Sequence, residues 1–187
     1  MSAPMTHPHA AAEVLHFWFS ESTPQQWFAK DDGFDATIRT RFAPLHASAA
    51  RAELWPWRTD AAGRLAELIV LDQFSRNMLR GSAGAFAQDT MTLVLAQELV
   101  AQGLDAQLPP VQRGFAYLPF MHSESLPVQQ ESLRLYTALG APVSLDFARQ
   151  HEAIIRRFGR YPHRNAALGR ASTPEEWAFL QEPGSSF

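Results

Sequence analysis

The chain has 187 residues, a net charge of −3, 46% hydrophobic residues and no cysteine. This length suits one compact domain, or two small helical halves sharing a core, and the apolar content argues against disorder. Without cysteine there are no disulfides, thiolate metal sites or cysteine nucleophile, and so mild a charge implies no polyanionic partner.

Met1 to Ala12 lacks the basic start and continuous apolar stretch of a signal peptide and reads as a loose N-terminal segment, residues 1–12, of a single helical domain spanning residues 1–187. Val14, Leu15, Trp18 and Phe19 then mark a first helix over Ala11 to Phe19. Thr23-Pro24 supplies an N-cap followed by proline at the first helical position. Asp31 or Asp32 caps the next helix, whose apolar side is Phe34, Ile38, Phe42 and Leu45, with Pro44 expected to bend or end it. Trp55-Pro56-Trp57 reads as a connector. Asp60 opens a helix through Leu65, Leu68, Ile69 and Asp72. Its apolar run, near Leu65 to Leu71, is broken by Glu67 and is far short of a membrane span. Gly81 to Gly84 breaks the chain, and a helix from about Ala85 to Val100 stops at Gly103. Pro109-Pro110 begins a short helix that Pro119 should end, and Pro127 begins another that Gly140 ends. Ser144 is expected to cap a helix through Phe147, His151, Ile155 and Phe158, stopped by Gly159. Thr173-Pro174-Glu175-Glu176 is a capping box. No segment alternates with period two, so the expected fold class is all-α: about eight helices in antiparallel hairpins, or an irregular bundle. The five tryptophans read mainly as core, with Trp55 or Trp57 at a pocket mouth as a further option.

The informative residues are polar ones on apolar stripes. Asp72 follows Leu65, Leu68 and Ile69, with Arg76 one turn on. Asp89 lies between Phe86 and Leu93, and His151 between Phe147 and Ile155. All three should point inward, where a carboxylate costs several kcal/mol unless a cation meets it, a cost of about that size being general for buried ions. Arginine occurs fifteen times and lysine once. Arg76, Arg80, Arg160 and Arg164 are the candidate partners. The loop Leu118 to Glu124 brings His122 and Glu124, anchored by Phe120 and Met121. A short echo links Val70-Leu71-x-x-Phe74-Ser75-Arg76 with Ile154-Ile155-x-x-Phe158-Gly159-Arg160 and suggests two helix ends in related hairpins.

Several readings of these residues stay open. They form a buried salt-bridge network, or they line a pocket for a small anion, phosphate or carboxylate. Metal ligation would draw on His122, Glu124, His151 and His163, but no HExxH or Glu-x-x-His pattern supports it, so no metal and no cofactor are expected. Catalysis is open. His122 with Glu124, or His151 with Asp72, suits acid–base work, while no nucleophile elbow, P-loop or dinucleotide fingerprint is present. Arg149 to Arg170 holds six arginines against one acid, Glu152. Those arginines alternate with apolar stripe positions, so nucleic acid is not the expected partner. A peptide or protein held in a helical groove is the rival to the small ligand.

Four segments taken together, Leu15 to Phe19, Leu71 to Asn77, Leu118 to Glu124 and Arg157 to Asn165, resemble the uncharacterised bacterial domain-of-unknown-function family nine-two-four. The resemblance runs from about Glu13 to Phe187. It implies an all-α fold similar to tetratricopeptide-repeat proteins, hairpins wound into a right-handed superhelix, and it implies no activity. Family-typical polar positions match at Asp72, Gln73, Arg76, Asn77, Arg80, Asp89, His122, Glu124, His151, Arg160, His163, Arg164 and Asn165. Ser125 stands where relatives often carry an acid. The resulting expectation is a cytoplasmic helical protein without a membrane partner. Its ligand-binding candidates are Asp72, Arg76, Asn77, Arg80, His122, Glu124, His151, Arg160, His163, Arg164 and Asn165.

Overall fold

The structure, a computed structural model, describes residues 8–186, and among them there are helices and no strands. Helix α1, Pro8–His16, opens into a π-helical turn, Phe17–Glu21. Short α2, Pro24–Phe28, and long α3, Asp32–Ala50, follow. A 3-10 segment, Trp55–Thr59, leads into α4, Ala61–Leu68, which widens into a π-helical segment, Ile69–Phe74, before α5, Ser75–Met78. The remaining helices are α6, Asp89–Ala101; α7, Pro110–Met121; α8, Leu126–Leu139; α9, Pro142–Phe158; and α10, Pro174–Phe179.

Local chemistry sets many of these boundaries. Thr23 with Gln26, and Thr173 with Glu176, form reciprocal capping boxes, each with proline at the first helical position. Asp31 accepts hydrogen bonds from the Gly33 and Phe34 amides, and Asp60 from that of Gly63. Gly140 and Gly159 end α8 and α9 in the left-handed conformation that disfavours a Cβ. Gly63 is required for another reason. A Cβ there would lie 2.0 Å from the Trp57 carbonyl oxygen, so only glycine lets α4 start against the preceding 3-10 segment.

The continuous helix α4–π–α5 is the centre of the fold. Every residue of its π segment, Ile69 to Phe74, is buried. A helix buried on all sides needs neighbours all round. Here α1 packs on α4, α3 runs along the π segment and α5, and α6 and α7 close the remaining side. From α6 onward the pattern simplifies: α6, α7, α8 and α9 pack as consecutive neighbours. The main core includes Trp18, Phe42, Phe74, Leu71 and Tyr136, and a smaller cluster of Ile154, Ile155, Tyr161 and Phe179 lies beneath α9 and α10.

Several sequence expectations are corrected. Residues 8–12 of the N-terminal segment expected to be loose belong to α1, and Ala10 and Ala11 are buried. The first seven residues lie outside the described ones. Pro44 and Pro119 sit inside α3 and α7 without ending them. Each interior proline costs about 3 kcal/mol in a helix. Burial of Phe42 and Leu45 beside the first, and of Phe120 and Met121 beside the second, offsets it at about 1.5–3 kcal/mol per side chain. Ser144 does not cap α9, which already starts at Pro142. Phe147 is half exposed at the edge of its stripe, and Trp55 and Trp177 are exposed rather than core. The echoed segments are not equivalent ends, since Phe158 ends α9 whereas Phe74 lies mid-helix.

Candidate functional site

The π segment delivers Asp72 to the interior beside α6 and α7. Asp72 is 3% exposed. Its Oδ1 lies 2.9 Å from Arg76 Nη1 and 2.8 Å from His122 Nδ1, and Gln73 Nε2 donates to Oδ2 at 2.5 Å. Burial alone would raise the Asp72 carboxyl, but the Arg76 charge and the hydrogen bonds from His122 and Gln73 outweigh it and hold it below the usual carboxylate range. An ionised carboxylate only accepts, so Nδ1 of His122 carries the proton and donates. The lone pair of neutral His122 is therefore on Nε2. Burial and the neighbouring Arg76 charge lower the His122 pKa, which favours this neutral form.

Arg76 reaches across to α6 as well. Its Nη1 and Nη2 donate to Asp89 Oδ1 and Oδ2 at 2.9 and 3.1 Å. Arg164 adds a third bond, Nη1 to Asp89 Oδ2 at 3.0 Å, and fixes its other arm on the His122 carbonyl at 3.0 Å. The Arg164 guanidinium lies between two rings, 4.7 Å from Phe86 and 4.4 Å from Tyr161. It is buried, and burial followed by the charge of Arg76 lowers its pKa. Two further imidazoles adjoin. His151 donates from Nδ1 to the Phe147 carbonyl at 2.8 Å and packs 6.5 Å from the His122 ring. His163 packs against Tyr161 with the rings tilted and their centroids 5.5 Å apart. Burial pushes His151 down to about 3, and burial with the Arg164 charge pushes His163 down to about 4. With the imidazoles neutral, two guanidiniums face two carboxylates.

Six of the sequence candidates thus converge: Asp72, Arg76, His122, His151, His163 and Arg164. The others go elsewhere. Asn77 and Arg80 hold the buried Asp35 of α3, at 2.7 Å for the amide and 2.8 and 3.0 Å for the guanidinium. Arg160 grips Glu176 of α10 at 2.7 and 2.8 Å, and Asn165 lies 3.3 Å from the same carboxylate. Glu124 turns away from His122 and accepts from Arg170 at 2.7 and 2.9 Å and from the Tyr161 amide at 2.8 Å. His122 therefore pairs with Asp72 rather than Glu124, and His151 pairs with a carbonyl rather than Asp72.

A family model for a bacterial protein of unknown function (DUF924) matches residues 14–184. The chain belongs to this family. A solved structure of a protein of unknown function from Agrobacterium tumefaciens, ATU0120, is similar with a TM-score of 0.88 and 40% identity, over 92% of this chain and 97% of that one. No curated protein matches. In this DUF924 chain the four resembling segments meet. Leu71 to Asn77, Leu118 to Glu124 and Arg157 to Asn165 supply the cluster, and Phe17 and Trp18 pack 6.1 and 5.8 Å from Phe74 beneath it.

The sequence left Asp89 out of the ligand-binding candidates although its inward position was legible, and it gave Phe86, Tyr161, Arg170 and Gln129 no place in the site. Gln129 is fully buried and donates to the Met121 and Ser123 carbonyls at 2.7 and 2.6 Å, which fixes the loop that carries His122. Its signal was a glutamine on the stripe of Leu133 and Tyr136. Every arginine between Arg149 and Arg170 also has a carboxylate partner: Asp146, Glu152, Glu175, Glu176, Asp89 and Glu124 in chain order. Ser75 is not a usable nucleophile, because it is fully buried and donates to the Leu71 carbonyl at 2.6 Å while His46 lies at 2.7 Å. Among the described residues no group of three or more His, Asp or Glu is placed to hold a metal ion, and no helix is long and apolar enough to cross a membrane. Two recesses of about 380 and 260 Å³ lie elsewhere, the first between Phe17, Phe34 and Arg41, the second beside Leu15 and Trp57.

Proposed function

We propose that the cluster around His122 binds a small anionic ligand, a phosphate or a carboxylate, with His122 as its acid–base group. The observation that carries this is the Asp72–His122 pair. A buried carboxylate on Nδ1 orients the ring, stabilises its charged form and leaves Nε2 as the basic atom. The ring is only partly buried. Beside it, Arg76 and Arg164 already hold one carboxylate between them, which is the charge arrangement a small anion needs.

The reading is tested by thermal shift with inorganic phosphate and small carboxylates at fixed ionic strength. A ligand at one hundred times its Kd adds about 2.7 kcal/mol. For a chain of this size that is a rise of about 5–10 °C in Tm. His122→Ala and Arg76→Ala should lose the rise. If no anion in the panel stabilises the wild type more than Arg76→Ala, the cluster is only a salt-bridge network.

A further inference from the structure

We propose that Asp89 is an exchangeable internal ligand, and that the guanidinium cradle it occupies takes the carboxylate group of a small organic acid in its place. This rests on the ligand reading above and narrows it. Two carboxylates sit on Arg76, and they differ. Asp72 is sealed, with 3% of its side chain exposed, and takes donors from three side chains. Asp89 is the first residue of α6, its side chain is 20% exposed, and the side chains that donate to it are the two guanidiniums of Arg76 and Arg164. Of the two, Asp89 is the one solvent reaches.

The cradle stays assembled when Asp89 turns out. Arg76 remains on Asp72, both on its side chain and on its carbonyl, the latter at 3.2 Å. Arg164 remains on the His122 carbonyl and between the Phe86 and Tyr161 rings. Its Nε is buried with no hydrogen-bond partner, a donor left over in the same guanidinium. With Asp89 removed, two guanidiniums face one carboxylate, and a monoanion restores neutrality. The cradle also selects by charge. Arg76 meets the two Asp89 oxygens through Nη1 and Nη2, so the cradle is already built around a planar carboxylate; the same fork also pairs with a phosphate, but a phosphate at about pH 7 brings more than the single charge that Asp89 leaves vacant. Asp89 then acts as a latch: it keeps two buried cations paired in the empty protein and sets a threshold that the ligand's carboxylate must exceed.

The test compares acetate with inorganic phosphate on the wild type, Asp89→Ala and Asp89→Asn, reading binding by calorimetry and thermal shift at constant ionic strength. An internal competitor that fills the cradle nine-tenths of the time weakens an external ligand about tenfold. Acetate should therefore bind the wild type weakly and Asp89→Ala about tenfold tighter or more, with phosphate gaining less. Asp89→Asn keeps the side-chain volume without the charge. It should move the same way, and it serves if the alanine variant does not fold. Equal acetate affinity in wild type and variants overturns the latch but leaves the anion site standing. Binding by the variants alone means Asp89 never yields, which also overturns the exchange. Equal gains for phosphate overturn the carboxylate assignment. Silence in all three proteins removes the latch and the anion site together.

Discussion

Replacing Asp72 with asparagine tests the centre of the cluster at constant shape. The carboxylate receives Arg76, His122 and Gln73, all donors. An amide offers one oxygen and one NH2 in the same place, so at least one donor must face another. Breaking a buried ion pair by removing one partner costs about 3–5 kcal/mol. Arg76 keeps its two bonds to Asp89, which places the expected loss near the lower limit, about 3 kcal/mol. At this chain length each kcal/mol moves Tm by about 2–4 °C, so Tm should fall by about 6–12 °C. Urea unfolding followed by circular dichroism gives the free energy directly, and an unchanged m-value would show that the unfolded state is the same. A loss under about 1 kcal/mol, the range of exposed pairs, would refute the argument that Asp72 anchors a buried network.

Three further outcomes are expected. His151 and His163 have folded pKa values lowered to about 3 and about 4, against about 6.5 unfolded, so their contribution to stability is full above about pH 6.5 and is lost as pH falls toward those values. Urea midpoints should drop between pH 7 and 5, and His151→Gln should flatten that slope; a slope unaltered by the substitution would count against it. Glu176 is pulled down to about 2, chiefly by its hydrogen bonds from Arg160, so its contribution is present above about pH 4.3 and lost as pH falls toward 2. The stability gap between wild type and Glu176→Gln should be wide at pH 5 and shrink by pH 3, and a gap constant with pH would contradict the assignment. Gly63→Ala puts a Cβ against the Trp57 carbonyl and should cost about 1–3 kcal/mol or more by overpacking, measured by urea unfolding; a neutral result would mean that the 3-10 segment yields freely.

The sequence disclosed what short-range chemistry decides. Thr23, Asp60 and Thr173 as caps, and Gly140 and Gly159 as stops, are each settled within a few residues. That α3 and α7 run on through Pro44 and Pro119 was not legible, because Phe42, Leu45, Phe120 and Met121 hold them by burial against elements distant in sequence. The same limit applies to the site. Asp72 and Arg76 lie one turn apart and were legible as a pair. How the arginines share out the carboxylates was not, because Arg76 meets Asp89 across 13 residues, Arg80 meets Asp35 across 45, and Arg164 meets Asp89 across 75. Composition shows that guanidiniums and acids are both plentiful; only the packing of α3, α6 and α10 decides which finds which.

The widened stretch from Ile69 to Phe74 is the place in this rod where a one-residue deletion is best absorbed. A π turn holds about one residue more than an ordinary turn, so losing one there tightens the winding to the common form and leaves everything beyond Phe74 near its present angle. The same loss within Ala61–Leu68 has no slack to draw on and would swing the rest of the rod by about 100°. Arg76 would then leave its inward station, and Asn77 and Arg80 would leave the side of the rod that faces Asp35. A single missing codon is harmless or ruinous according to which side of Leu68 it falls.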